Sequence, residues 1–403
     1  MDIFKVELQI CLMQYIPRTI ENELLRLINH FPVLVLSGPK QSGKTTLCKQ
    51  VLKDYYYFNL EDISLREQIS LAPKAFILEN KQGVIIDEVQ RYPDLFSYIQ
   101  VVVDAYPESN IILTGSNNFT IMEGITQSLA GRSASLTLLP FSINELKAFN
   151  TNIETNTLLL NGGYPAIWSK QIPVKDISSN YYTTYVERDV KQLINIKDMI
   201  KFQTFIRLCA GRVGTEFNAS SLSNETGVSV HTIQEWLSVL EASYIVFRLP
   251  PFFKNIGKRL VKAPKLYFYD TALACFLLGI TELEQLTVYP LRGALFENLV
   301  VLEFLKQRYN RGELANLFFY RDKSQREIDL IQEVGTNFFA YEIKSAQTAH
   351  KDFFKNLYYL KKNLGDSMVS SAVIYDGELE VNDPVHGMIN VRSVYSHLEH
   401  REA

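Results

Sequence analysis

Gly38-Pro39-Lys40-Gln41-Ser42-Gly43-Lys44-Thr45 follows closely on the apolar run Val33-Leu34-Val35-Leu36 and opens a stretch of helical spacing, Lys44 to Leu52. A glycine-lysine loop held between a buried strand and a helix constrains the fold more than any other feature of this chain. It fits G-x-x-x-x-G-K-[ST], in which glycines let backbone N–H groups curl around a phosphate and the helix N-terminus adds its positive dipole end. Val84 to Ile86 and Ile111 to Leu113 read as two more buried strands, with Leu95 to Ala105 as a helix between them. Continuous apolar strands alternating with helices predict an α/β fold with a parallel sheet covered on both faces, as in P-loop NTPases.

The loop from Gly38 to Thr45, with Thr46 beyond it, is the expected nucleotide contact. Lys44 is expected at the β- and γ-phosphates and the Thr45 hydroxyl on Mg²⁺. A chance Gly/Lys loop would not explain the second motif, Val84-Ile85-Ile86-Asp87-Glu88, which ends an apolar strand in two carboxylates. Such a pair is costly unless a cation or substrate compensates it. Asp87 is expected to hold Mg²⁺ through water and Glu88 to polarise the attacking water. The next strand ends in Leu113-Thr114-Gly115-Ser116, so Thr114 and Ser116 are candidates for the γ-phosphate or the lytic water. Arg132 is a candidate arginine finger, acting within one chain or across a subunit boundary of a homo-oligomer; a surface or helix-capping arginine would look the same. No Asn-Lys-x-Asp guanine-recognition pattern occurs, which favours ATP over GTP.

At 403 residues the chain is long enough for two or three domains. Its 47% hydrophobic and 21% charged residues are those of a soluble globular protein. A net charge of -3 offers nothing global to nucleic acid, so any basic surface must be local. Cys11, Cys48, Cys209 and Cys275 lie far apart with no C-x-x-C pair, which argues against a zinc ribbon or disulfide framework and suits a reducing compartment. Asp2, Lys5 and Glu7 interrupt the N-terminal apolar residues, and no run approaches the roughly 18 needed to span a bilayer. The expectation is a cytoplasmic protein without a membrane partner.

The middle of the chain reads as a helix-turn-helix with a wing. Ser220 to Thr226 is a short helix, Gly227-Val228 a turn, and His231 to Ala242 a second helix capped by Ser229. Ile233, Trp236, Leu237 and Leu240 form its buried stripe, leaving His231, Thr232, Gln234 and Glu235 on the outer face, where a recognition helix meets base edges. Two strands, Tyr244 to Leu249 and Lys265 to Tyr269, flank a loop with Lys254, Lys258 and Arg259. Nine Lys/Arg stand against four Glu between Lys201 and Lys265, a surplus suited to phosphates. Such units also serve as protein-docking modules and as rigid lids of ATPases, and Glu235 on the outer face opposes DNA.

In the last unit, Asp329 sits in Ile328-Asp329-Leu330-Ile331, and strand period puts Glu342 and Lys344 on one face of Tyr341 to Lys344. Glu297, early in a long helix, completes an acidic cluster. The set resembles the PD-(D/E)XK nuclease site, in which Asp329 and Glu342 would bind Mg²⁺ or Mn²⁺, Glu297 would be a further metal ligand or a group just outside the ligands, and Lys344 would position water or neutralise charge. A cross-strand ion pair gives the same pattern, and nuclease-like units also persist as binding modules.

Taken together, Tyr15-Ile16-Pro17-Arg18, the loop Gly38 to Thr46, Ile86 to Gln90, Thr114-Gly115-Ser116, Leu129 to Arg132, Gly162-Gly163-Tyr164-Pro165, Tyr185 to Asp189, Phe296-Glu297-Asn298, Glu327-Ile328-Asp329 and Glu342-Ile343-Lys344 resemble the prokaryotic AAA-type ATPases with a C-terminal domain of unknown function. Lys40 departs from the arginine usual there. The resemblance implies an ATP-binding protein and names no physiological role. The expected layout is a P-loop ATPase core over 1–140, a helical extension over 141–205, a winged-helix-like domain over 206–290 and a nuclease-like α/β domain over 291–403. Two outputs follow: ATP hydrolysis coupled to DNA binding or processing, or a nucleotide-controlled switch that binds protein or nucleic acid with a catalytically silent C-terminal unit.

Overall fold

Nothing in Val33 to Leu36 asks for water, and all of β1 (Val33–Ser37) is buried. A computed structural model describes residues 15–116, 121, 123–184, 196, 198–252, 263–381, 383 and 386–402. In it β1 is joined by β2 (Tyr56–Asn59), β3 (Val84–Asp87), β4 (Ile111–Gly115) and β5 (Ser133–Thr137) in an all-parallel sheet of order β2-β3-β4-β1-β5. Alternate side chains serve two cores. Val33, Val35, Ile86 and Leu113 pack with the helix Leu95–Ala105, while Leu34, Leu36, Ile85 and Ile112 pack with the helices Glu21–Ile28 and Lys44–Val51. Each fully buried aliphatic side chain contributes about 1.5–3 kcal/mol. The register aligns Ser37 with Gly115 and Thr137, so the carboxyl ends of the strands share one edge. In open α/β sheets that edge carries the ligand.

After β5 the chain is helical, with Thr155–Asn161, Pro165–Ser169 and Val174–Tyr181. The helices Ala219–Thr226 and Val230–Ala242 follow, separated by Gly227 at φ +66°, a left-handed conformation glycine adopts without strain. The Ser229 hydroxyl caps the second helix by accepting from the Thr232 N–H at 3.1 Å. An antiparallel pair, β6 (Val246–Leu249) and β7 (Lys265–Phe268), completes this unit. The loop bearing Lys254, Lys258 and Arg259 lies outside the described residues, as does Tyr185 to Asp189.

The last unit begins with the helix Arg292–Asn310, in which 14 of 19 residues are buried. This helix keeps its buried Asn298 and Lys306 satisfied, the first by the Phe268 N–H and the second by Glu303. It precedes β8 (Leu317–Arg321), β9 (Glu327–Val334), β10 (Asn337–Lys344), the helix Lys355–Leu364, β11 (Met368–Tyr375) and β12 (His386–Asn390). The sheet order is β12-β11-β10-β9-β8, antiparallel from β8 to β10 and parallel from β10 to β12. One apolar core running from Leu139 to Leu398 packs the helical, middle and C-terminal segments together. A further core of Phe252, Ile328, Phe338, Leu357, Val373 and Met388 lies on the other face of the C-terminal sheet. Among the described residues no helix is long and apolar enough to cross a membrane, and Cys48, Cys209 and Cys275 are buried free thiols.

Candidate functional site

The strand-to-helix turn after β1 is built by glycine. Gly38 has φ +142°, and a Cβ there would lie 2.2 Å from the Leu138 carbonyl oxygen; Gly43 has φ +99°. No other residue type allows the loop to fold so close to the neighbouring chain. The Lys44 amine is buried and donates to the Gly38 and Pro39 carbonyls, both at 2.9 Å. Burial pushes its pKa down to about 8, against the pull of the Glu88 and Asp87 carboxylates. Ser42 Oγ is buried with no hydrogen-bond partner, a donor suited to an anion in the loop.

Asp87, at the tip of β3, gathers the hydroxyls of two neighbouring strands and a helix. Its Oδ2 accepts from the Thr45 hydroxyl at 2.7 Å and from the Tyr57 hydroxyl at 2.7 Å, and its Oδ1 accepts from the Thr114 hydroxyl. A hydroxyl and a carboxylate in direct contact at the loop fit the oxygen-rich coordination of Mg²⁺. Glu88 follows in a left-handed conformation, φ +55° and ψ +44°. A non-glycine residue rarely adopts that conformation, and doing so turns this carboxylate away from the strand direction. The Gln90 amide donates to Glu88, and burial raises the Glu88 pKa against the opposing pull of Lys44. Ser116 is buried at the end of β4.

A cleft of about 680 Å³ opens beside the loop. Lys40, Gln41, Gly43, Lys44, Thr45, Thr46 and Glu88 line one side, and Tyr15, Ile16, Pro165, Ala166 and Ile177 supply apolar surface on the other. Mixed polar and apolar walls are what a nucleotide requires. Arg18 ties the walls together: it donates to the carbonyls of Ser42 at 2.9 Å and Leu139 at 2.7 Å, pairs with Glu145 at 3.0 Å, and stacks 4.8 Å from the Phe141 ring centroid. The sequence alone does not show Tyr57 at Asp87, the Gln90 contact to Glu88 or the bracing role of Arg18. The Gly162 to Pro165 turn is a turn signal in the sequence, but its place on the cleft wall follows only from the fold.

Arg132 is not brought to this site within its own chain. It immediately precedes β5, whose first residue pairs with Val33, the opposite end of β1 from the loop. Five residues of strand put it roughly 16 Å away along the sheet. There it forms an exposed ion pair with Asp104, with Nη2 3.0 Å from Oδ2.

The C-terminal carboxylates also depart from expectation. Asp329 and Glu342 do approach each other, but Lys344 Nζ lies between them, 3.3 Å from Asp329 Oδ2 and 2.5 Å from Glu342 Oε2. Asp329 Oδ2 also accepts from the Ile343 N–H at 2.7 Å. Burial and the Asp329 charge push the Glu342 carboxyl up to about 8. Glu297 is held instead by Lys265 Nζ at 2.8 Å and the Tyr267 hydroxyl at 2.6 Å. Among the described residues no three His, Cys, Asp or Glu side chains are gathered so as to hold a metal ion. The three carboxylates do not gather around one point: Lys344 pairs with Asp329 Oδ2 and Glu342 Oε2 and Lys265 with Glu297 Oε1, while the buried Glu342 Oε1 has no hydrogen-bond partner among the described residues.

Residues 30–147 match the family described as AAA domain, residues 152–284 a domain of unknown function (DUF8612), and residues 292–393 another (DUF4143). The first match, together with the parallel sheet, makes the N-terminal part an AAA-type P-loop ATPase domain, the class of fold that binds a nucleoside triphosphate. The solved Walker-type ATPase PABY2304 of Pyrococcus abyssi is similar at a TM-score of 0.47 and 13% identity, covering 65% of this chain and 96% of that one. An uncharacterized protein of Haemophilus influenzae is 23% identical over 382 residues, 86% of this chain and 91% of that protein. The uncharacterized protein Rv2008c of Mycobacterium tuberculosis is 30% identical over 332 residues, 81% of this chain and 73% of Rv2008c. By that extent of shared sequence, the chain belongs to the same family as Rv2008c, with an AAA domain leading two domains of unknown function.

Proposed function

We propose that this chain binds ATP with Mg²⁺ at the Gly38 to Thr45 loop, hydrolyses it, and passes the change to middle and C-terminal units that bind a partner rather than cut one. The observation that carries the reading is the convergence of Thr45, Tyr57 and Thr114 on Asp87, beside Lys44 and Glu88. Lys44 would leave the loop carbonyls for the β- and γ-phosphate oxygens, and Thr45 with Asp87 would hold the metal. Bound Mg²⁺ neutralises charge on the phosphates. Glu88 would orient a water for in-line attack on the γ-phosphorus and accept its proton as the bond to the β-phosphate oxygen breaks. Ser116 and Thr114 lie at the strand end where the γ-phosphate would arrive.

Two contacts supply a route for the output. Lys306 Nζ, on the helix Arg292–Asn310, donates at 2.8 Å to the carbonyl of Phe141, which lines the cleft. The Glu303 carboxylate, one turn earlier, accepts from the Ile143 N–H at 2.8 Å. The switch is favoured over DNA processing because lysines neutralise the C-terminal carboxylates, and because the outer face of Val230–Ala242 carries a His231–Glu235 pair at 3.4 Å, with Glu235 repelling phosphates.

The test is ATP binding and turnover by wild type, Lys44→Ala and Glu88→Gln with Mg²⁺, each with and without duplex DNA. Lys44→Ala should lose tight binding, whereas Glu88→Gln should bind and not turn over. Turnover by Glu88→Gln equal to wild type would remove Glu88 from the chemistry. Metal-dependent DNA cutting that requires Glu342 would restore the DNA-processing output.

A further inference from the structure

A lysine from the middle unit sits among carboxylates of the C-terminal unit. Lys265 is the first residue of β7 in the middle unit, and its side chain is only 4% exposed. Its Nζ lies 2.8 Å from Glu297 Oε1 and 2.5 Å from Glu327 Oε1. Glu297 belongs to the helix Arg292–Asn310 and Glu327 opens β9, so one ammonium joins three separate elements. Asp329, two residues beyond Glu327, adds a further negative charge to the same surroundings.

The backbone that presents this lysine is held on both sides. The Gly214 N–H donates to the Leu266 carbonyl at 2.8 Å, Leu266 N–H to Thr215 at 3.0 Å, and Phe217 N–H to Pro264 at 2.8 Å. Just past β6, the Phe252 N–H donates at 2.6 Å to the Phe319 carbonyl of β8, and the Phe252 ring packs edge-on against Phe338. Lys265 is therefore delivered by a stiff, docked segment rather than by a mobile surface side chain. Exposed lysines seldom repay the entropy of such an arrangement, but a buried one with two carboxylates cannot be removed without leaving charge uncompensated.

A divalent ion would sit where carboxylate oxygens converge, and here an ammonium occupies the point between Glu297 and Glu327. We propose that Lys265 is a built-in counter-cation for Glu297 and Glu327, filling the place between them that a divalent ion would need. The charge balance of Glu297 and Glu327 then depends on docking of the middle unit and not on metal. The inference concerns ion binding alone and stands apart from ATP turnover and from the choice of partner.

Mn²⁺ titration of the full chain, followed by the electron paramagnetic resonance of free Mn²⁺, tests it without nucleotide. Wild type, Glu297→Gln, Lys265→Met and the double variant Lys265→Met/Glu297→Gln are compared. Lys265→Met should gain one Mn²⁺ per chain, bound at least ~10-fold more tightly than anything wild type gains over Glu297→Gln, and the double variant should lose it. Mn²⁺ should also raise the unfolding midpoint of Lys265→Met and leave that of wild type unchanged. A folded Lys265→Met that gains no ion overturns the proposal. Where Lys265→Met does not fold, wild type and Glu297→Gln decide: equal Mn²⁺ binding supports it, and a site lost in Glu297→Gln overturns it.

Discussion

The Tyr244 hydroxyl donates to Ser37 Oγ at 2.9 Å, tying the segment after the helix Val230–Ala242 to the last residue before the phosphate loop. Ser37 passes the bond on to the Leu136 carbonyl at 3.2 Å, and Tyr244 itself is buried. Tyr244→Phe deletes one buried hydrogen bond without changing shape, so it should cost about 1 kcal/mol of stability. Nucleotide affinity should change by less than ~10-fold, that is, by less than about 1.4 kcal/mol. Urea unfolding and calorimetric ATP titration check both; a larger loss of affinity would make the tyrosine part of the binding site.

Thr114→Val keeps the volume of the threonine and removes its hydroxyl from Asp87. Asp87 retains Thr45 and Tyr57, so ATP should still bind, whereas Mg²⁺-dependent turnover should fall by at least ~10-fold as the carboxylate loses its orientation. Steady-state turnover over a range of Mg²⁺ concentrations reads this. Unchanged turnover would show that Thr45 and Tyr57 suffice.

Lys44 titrates near 8 in this structure because its amine is buried. A triphosphate restores the charged form, so binding at pH 8 should take up about half a proton, falling towards zero at pH 6.5. Calorimetry in two buffers of different ionisation enthalpy measures the uptake. Equal enthalpies in both buffers at pH 8 would contradict it.

Asp270 is fully buried, and burial raises its pKa from 3.8 to about 6, although it accepts N–H bonds from Gly163 at 2.8 Å and Ala272 at 2.9 Å. The folded protein holds this proton more tightly than the unfolded chain. Its contribution therefore favours folding fully below pH 3.8 and is lost as pH rises through about 6. The change is on the order of 3 kcal/mol. Asp270→Asn should flatten the fall in stability between pH 4.5 and 7.5, checked by urea midpoints at both; an unchanged slope would assign the titration elsewhere.

The central strands of the first sheet and the phosphate loop were legible because each is a short apolar run ending in polar residues that such a strand would not otherwise carry. β2 and β5 were not, for a shared reason. Both are sheet edges: Tyr56 is exposed and β5 buries only Leu136, so neither shows the apolar run of a central strand. Tyr57 stood in a run of aromatics with no chemical signature, and only the β2–β3 pairing brings its hydroxyl to Asp87. In the C-terminal unit the strand positions of Asp329, Glu342 and Lys344 followed from period two. Their partners did not, because Lys265 meets Glu297 across 32 positions of sequence, and nothing local announces that contact.

The two cores of the first sheet use only residues between Ile20 and Leu138, whereas the third begins at Leu139 and is completed at Leu398. During synthesis the first sheet has all its packing partners once residue 138 has left the ribosome. Everything after it must wait for Arg292–Asn310 and the strands beyond. A nascent chain halted between these points would carry a folded head and a long apolar tail, and the helix Arg292–Asn310 is the piece whose arrival lets that tail collapse around it.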